Sequence, residues 1–324
     1  MKTIKFPPSL RTVLWVISML DTSGAVDENI NIIGKQHKGE LMGKYVISAE
    51  SGSDLTPELA KQYGVEIVPM HVTMGTQTLD DGTFPPIQIC EYYEANGALP
   101  KTSGSTIYDF EVVFDRIHEE SPEAHILHLA YSGVTTVSYN CAILAAEDRD
   151  YVTIIDTKHV SAGQGFVVVK TAMLLQENPD ISIEELVRYA EDLCERTKMC
   201  FLPADLEYLH AGGRCSNLAF LGGRLLHLQP LIEILEGKLI ATKKYRGSTK
   251  KTIPKLIREF TEKKNLAKAE LYFLCTVRLS DENKKLAEVT ASEYGYNNVR
   301  WIHAQCVITT HGGPGCFGIV GLSE

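Results

Sequence analysis

HILHLAYSGVTTVSYNCAILAA, residues 125–146, decides the fold. His125–Ala130 is an apolar run of strand length, Tyr131–Thr136 is crowded with hydroxyls and interrupted by a glycine, and Tyr139–Ala146 carries apolar residues at helical spacing. A strand that feeds a polar loop and then a helix is the repeating unit of an α/β sheet, whose consecutive parallel strands need helical crossovers. The same texture recurs around it. Tyr45–Ser48, Glu66–Val72 and Tyr151–Asp156 read as further strands, and Tyr108–His118 and Ala162–Gln176 as helices. Right-handed crossovers then place the functional loops at the carboxyl ends of the strands.

Beyond residue 160 the order of elements changes. Ser182-Ile-Glu-Glu185 opens the helix Ile183–Cys194 as a capping box. Strand-like runs follow at Lys198–Pro203, Leu228–Leu235, Leu239–Tyr245, Ala269–Val277 and Trp301–Ile308. Glu236-Gly237-Lys238 joins two of them as a tight antiparallel turn, and helices Ile253–Lys263 and Glu282–Ser292 cover the sheet. The reading is an α/β protein with an N-terminal parallel-sheet domain over 44–160 and a C-terminal α+β two-layer domain over 161–324. No Pro- or Ser-rich linker separates them, so a tight cleft is expected between the two.

The 324 residues are 44% hydrophobic and 23% charged, enough for two sizeable cores. A net charge of -9 excludes a general nucleic-acid binder, which needs clustered cations; Lys243-Lys244-Tyr245-Arg246 is only a local basic stretch. Cys90, Cys141, Cys194, Cys200, Cys215, Cys275, Cys306 and Cys316 are scattered without a C-x-x-C pair, the pattern of reduced core thiols in a cytoplasmic protein. Residues 1–43 differ in texture and are expected to be a leader outside the native fold. Thr12–Leu20 imitates a secretory signal but is too short to span a bilayer. Lys38-Gly39-Glu40 can be encoded by a purine-rich ribosome-binding sequence just before Met42, which points to translation starting there.

Three loops offer hydroxyls at strand-to-helix junctions. Lys101-Thr102-Ser103-Gly104-Ser105-Thr106 precedes a helix and could hold an anion on its hydroxyls and free N–H groups; N-capping by one hydroxyl, with Thr106 and Asp109 as a capping box, accounts for it equally well. Tyr131–Thr136 is the second loop. Asp156–Gly165 is the third, with Ser161 a routine N-cap. Arg214, after Gly212-Gly213, suits a carboxylate, an internal acid or a partner protein. His311 stands at the end of the run closing at Ile308, on a Gly-Pro-Gly turn, as a candidate hydrogen-bond donor.

In order and spacing these pieces resemble the DegV family of fatty-acid-binding proteins over essentially everything after Gly43. Ser51-Gly-Ser-Asp-Leu55 resembles Asp-Ser-x-x-Asp-Leu, with Glu50 where Asp is usual. Lys101 to Thr106 resembles Thr-Ser-Gln-Pro-Ser, with Gly104-Ser105 replacing Gln-Pro. Ser132 to Ala142 matches Ser-Ser-Gly-Leu-Ser-Gly-Thr-Tyr-Asn-Ser-Ala, which puts Gly133 at the second serine and leaves Ser132, Thr135 or Thr136 to serve. Leu209 to Arg214 resembles Leu-x-x-Gly-Gly-Arg, and His311-Gly-Gly-Pro-Gly resembles His-Thr-Gly-Pro-Gly.

The resemblance implies a long-chain fatty acid in an interdomain tunnel. Its carboxylate would meet Thr102, Ser103, Thr106, Ser132, Thr135 and His311, with Arg214 touching the head group or a partner. It also implies a non-catalytic carrier that presents the acid to a fatty acid kinase catalytic subunit for acyl phosphate formation, with no cofactor, metal, nucleic acid or stable membrane insertion. Burial of roughly fifteen methylenes at ~0.8 kcal/mol each would dominate affinity, while the head group sets orientation. Gly34 to Gly39 has P-loop glycine spacing but is followed by Glu40-Leu41, so the chain shows no nucleotide loop of its own.

The alternative is an acyl-transferring or hydrolytic enzyme with a Ser or Cys nucleophile. It has only Ser248-Thr-Lys-Lys251 and the spacing of Cys316 from His311 in its favour, and no G-x-S-x-G elbow. Peptide mapping of the native protein by mass spectrometry is expected to recover nothing from residues 1–41. Recovery of such a peptide would move the start upstream of Met42.

Overall fold

The computed structural model describes residues 44–204, 206–214 and 228–324; the expected leader, the start at Met42 and Cys215 lie outside them. Strands β1 (Tyr45–Glu50), β2 (Val65–Val68), β6 (His125–Ala130) and β7 (Val152–Asp156) form a four-stranded sheet in the order β2-β1-β6-β7. Every pairing in it is parallel. Helices α1 (Pro57–Tyr63), α3 (Ile107–Glu120) and α4 (Ser138–Ala146) supply crossovers, as the alternation of elements in the sequence requires. The Thr106–Asp109 capping box opens α3 in both directions.

A small antiparallel sheet, β4-β3-β5, sits beside it, made of β3 (His71–Met74), β4 (Gln77–Asp80) and β5 (Lys101–Ser103), with α2 (Ile87–Asn96) between the last two strands in sequence. The strand expected over Glu66–Val72 is therefore two strands in different sheets. Pro69 lies between them, and a proline cannot donate to a ladder.

The C-terminal half is a six-stranded mixed sheet, β10-β9-β8-β13-β11-β12. Its strands are β8 (Thr197–Leu202), β9 (Leu228–Leu235), β10 (Lys238–Arg246), β11 (Leu271–Cys275), β12 (Val299–His303) and β13 (Phe317–Leu322). Only β11 and β12 run parallel; the other pairings are antiparallel. Glu236 and Gly237, both at positive φ (47° and 75°), make the two-residue turn between β9 and β10. Helices α8 (Thr249–Lys263) and α9 (Asp281–Glu293) bury Ile253, Leu256, Ile257, Phe260, Ala287 and Ala291 against one face of this sheet.

Between the two large sheets lies α5 (Ser161–Glu177), followed by α6 (Ile183–Arg196). Val167, Val168 and Val169 of α5 join Ile47, Leu127 and Leu129 in the core of the parallel sheet. Phe166, one residue earlier, joins Met199, Phe201 and Leu274 on the other face of the mixed sheet. A helix apolar all round suits this position between two layers. Two short helices complete the fold, α7 (Leu206–Gly212) and α10 (Cys306–Gly312). The latter corrects the sequence reading of Trp301–Ile308 as one strand: the chain leaves β12 at His303 and turns into a helix, so His311 is helical. No described helix is long and apolar enough to cross a membrane.

Close approach fixes the depth of α5. A Cβ on Gly165 would lie 2.4 Å from the Ser53 carbonyl oxygen, a backbone atom with little freedom to yield. Gly165→Ala should therefore destabilise the fold by about 1–3 kcal/mol despite the better helix propensity of alanine, read as a lower denaturant midpoint.

Candidate functional site

At the carboxyl ends of β6 and β7, where ligands gather in sheets of this kind, the two halves enclose a cavity with an empty volume of about 700 Å³, including its solvent-open part. Its apolar wall comes from the mixed sheet and α10, with Met199, Phe201, Leu239, Leu274 and Ile308. Its polar wall comes from Thr102 and Ser103 at the end of β5, Thr135 and Thr136 in the loop after β6, Ser161 at the start of α5, Arg214 after α7, and His311 in the last turn of α10.

Of the residues singled out from the sequence, Thr102, Ser103, Thr135, Arg214 and His311 meet on this cavity. Thr102 Oγ1 and His311 Nε2 are 2.8 Å apart, a hydrogen bond between residues 209 positions apart. Thr106 and Ser132 are not in the lining. The Thr106 hydroxyl donates to Asp109 Oδ2 at 2.6 Å and accepts from Asp109 N, so it serves the α3 cap. The buried Ser132 hydroxyl donates to Gly237 O at 2.8 Å, which ties the β9–β10 turn to the N-terminal half.

The two glycines at unexpected positions have steric reasons. A Cβ on Gly133 would meet the Tyr139 ring at 2.8 Å, so the space of a serine side chain is already taken. A Cβ on Gly104 would lie 2.4 Å from Ser138 Oγ and 2.5 Å from Thr136 Oγ1. Those two hydroxyls stand 3.2 Å apart, and Ser138 Oγ accepts from Ser105 N at 2.9 Å. Loss of a side chain at 104 thus admits the Thr136 hydroxyl to the polar wall.

Ser161 is no routine cap. It has φ 51°, and its hydroxyl donates to Asp54 Oδ2 at 2.5 Å. Asp54 and Asp81 are both buried; from the sequence Asp54 figures only as part of the Ser51–Leu55 motif, and neither residue is given a role at the site. Gly212 is needed for close approach, since a Cβ there would sit 2.1 Å from His311 Nδ1.

Electrostatically, His311 is held neutral. Burial, aided by the positive charge of Arg214, lowers its pKa from the ordinary 6.5 to about 4. Its buried Nδ1 finds no hydrogen-bond partner among the described residues. Arg214 is exposed, and one of its nitrogens donates to Gly212 O at 2.7 Å. Cys316 also lines the cavity, but burial raises its thiol pKa strongly, the opposite of what an activated nucleophile needs. Ser248 serves as the N-cap residue of α8, with the exposed Lys251 in its first turn. Among the described residues no group of three or more His, Cys, Asp or Glu side chains could hold a metal.

Comparison with known proteins gives a consistent result. The DegV family of uncharacterised proteins matches residues 44–324. A DegV domain-containing protein of Deinococcus radiodurans is 29% identical over 278 residues, 84% of this chain and 96% of that one. The structure of a fatty-acid-binding DegV family protein from Thermus thermophilus matches with a TM-score of 0.77 at 31% identity, covering 87% of this chain and 100% of that one. The fatty acid kinase B3 protein of Streptococcus pneumoniae, solved loaded with linoleic acid, shares the fold with a TM-score of 0.75 at 21% identity, again over 87% and 100%.

Titration of His311, followed by NMR of its ring protons, should give a midpoint near about 4 in the native protein. Arg214→Gln should raise it by removing the repulsion. Between the ordinary value of 6.5 and about 4 the unfolded histidine binds a proton that the folded one refuses. His311 therefore subtracts stability as pH falls through that window, and His311→Gln should flatten this part of the stability–pH curve.

Proposed function

The chain belongs to the DegV family, and we propose that it binds one long-chain fatty acid in the cavity between its halves and presents the carboxylate to a fatty acid kinase catalytic subunit. The observation that carries this reading is the cavity's division into an apolar wall and a polar wall centred on the Thr102–His311 hydrogen bond. An acyl chain gains from the apolar side in proportion to the surface it removes from water. A carboxylate requires donors and charge, because an unpaired buried anion is costly.

Thr102, Ser103, Thr135 and His311 form the proposed carboxylate site, with Thr136 added by the room at Gly104. Thr106 and Ser132 drop out of this set because they do not line the cavity, their hydroxyls being turned to Asp109 and to the Gly237 carbonyl. A neutral His311 contributes a hydrogen bond but no charge, which leaves Arg214 as the fixed cation of the wall. A carboxylate arriving beside the imidazole would raise its pKa and favour proton uptake. Arg214, being exposed, suits contact with a partner or with the head group as it reacts. The pneumococcal protein of the same fold is named for such a kinase.

In this reading the chain is a carrier. The partner transfers the γ-phosphoryl group of ATP to the carboxylate, and the cavity holds and orients the acid. The rival nucleophile reading finds its cysteine deactivated by burial. The seven described cysteines are free thiols, which suits a reducing cytoplasm.

Native mass spectrometry with lipid extraction should find one fatty acid per chain in the purified protein. His311→Ala should weaken binding of hexadecanoic acid by about ten- to a hundredfold, the usual worth of a hydrogen bond to a charged group. A wild-type protein that neither carries lipid nor binds added hexadecanoate would end this reading.

A further inference from the structure

α10 is only seven residues long, and the imidazole it carries sits in its last turn. The N–H groups at the start of such a helix have no partner within it, and Gln305, its N-cap residue, makes no side-chain cap. The caps come instead from the N-terminal half. Asp54 Oδ1 accepts from Gln305 N at 2.7 Å, and Asp81 Oδ1 accepts from Val307 N at 3.0 Å. Both carboxylates are buried.

Each is itself held. Asp54, at φ 59°, donates its N–H to Ser51 O at 3.0 Å, and Asp81 donates its N–H to Met70 O at 2.8 Å. The second oxygen of Asp54 holds the Ser161 hydroxyl at the cavity wall. From Val307 to His311 the helix rises only about 6 Å, so a displacement of its first turn reaches the imidazole nearly undiminished. On the far side the ring is pressed against Gly212 and hydrogen-bonded to Thr102. Neither aspartate lines the cavity.

We infer that Asp54 and Asp81 are positioning residues of the head-group site: by capping α10 from the opposite half of the molecule they hold His311 against Thr102, and Asp54 sets Ser161 in the same wall. This rests on the carboxylate-binding reading given above. Because burial raises both carboxyls above the ordinary range, a carboxamide is a close substitute. Its oxygen still accepts a backbone N–H, and at position 54 its NH₂ group can donate to the Ser161 hydroxyl.

The test compares two probes with the same tail, hexadecanoic acid and hexadecanol, on the full chain. Asp54→Ala and Asp81→Ala are each expected to weaken the acid about tenfold and the alcohol less than about twofold. Asp54→Asn and Asp81→Asn should restore most of the affinity for the acid. In combination with His311→Ala, Asp81→Ala should cost the acid little more than His311→Ala does alone, since residues acting through one group are not additive.

Should the alanine variants fail to fold, Gln305→Pro removes the same N–H from the other side, at a φ of -78° that suits proline. It should show the same acid-selective loss. Equal losses for acid and alcohol, or full additivity with His311→Ala, would reduce the aspartates to scaffold and overturn the inference. A wild-type protein that binds neither probe would remove the carboxylate reading itself, and this assignment with it.

Discussion

A hydrogen bond between Thr102 and His311 joins residues that the chain brings together only after 209 positions, and the architecture around it follows from the cost of leaving polar groups unpaired between two apolar halves. At several places where the halves meet, a polar group of one answers a polar group of the other. Ser132 meets Gly237, Asp54 meets Gln305, and Asp81 meets Val307. Each bond is worth little against water, but each group stranded without its partner would cost more than the bond returns. The halves are thus held in register by pairing of polar groups as well as by apolar burial, and at the cavity wall one buried polar atom, His311 Nδ1, has no partner among the described residues.

Neutrality of the imidazole gives this wall a particular character. A permanently charged histidine would have to be solvated or paired in the empty cavity. A neutral one lets the apolar surroundings persist, with the exposed Arg214 supplying charge from the rim. Hydroxyls and a neutral ring can serve as donors or acceptors, while a guanidinium can only donate and always carries its charge.

Much of the fold was legible because it rests on local signals. The strand–loop–helix run over 125–146, the capping boxes at Thr106 and Ser182 and the turn at Glu236-Gly237 are all written in neighbouring residues. What failed was decided at a distance. Val307-Ile308 is β-branched and closes the run Trp301–Ile308 that reads as a strand, yet two aspartates remote in sequence cap a helix there. Likewise, the hydroxyls of Thr106 and Ser132 look as available as those of Thr102 and Thr135. Only the fold shows that the first two lie outside the cavity wall, turned to Asp109 and to the Gly237 carbonyl. Gly133 reads as a missing ligand and Gly104 as a change of loop, and the cause of both lies in the side chains of Thr136, Ser138 and Tyr139.

The helix between the two sheets bears on how the protein comes into being. Val167, Val168 and Val169 find their sheet among strands already synthesised, whereas Phe166 waits for β8 and β11, which emerge later from the ribosome. The nascent N-terminal half therefore displays an oily flank. Since β13 lies between β8 and β11, Met199, Phe201 and Leu274 of the cavity wall come together only once Phe317–Leu322 has paired with both strands.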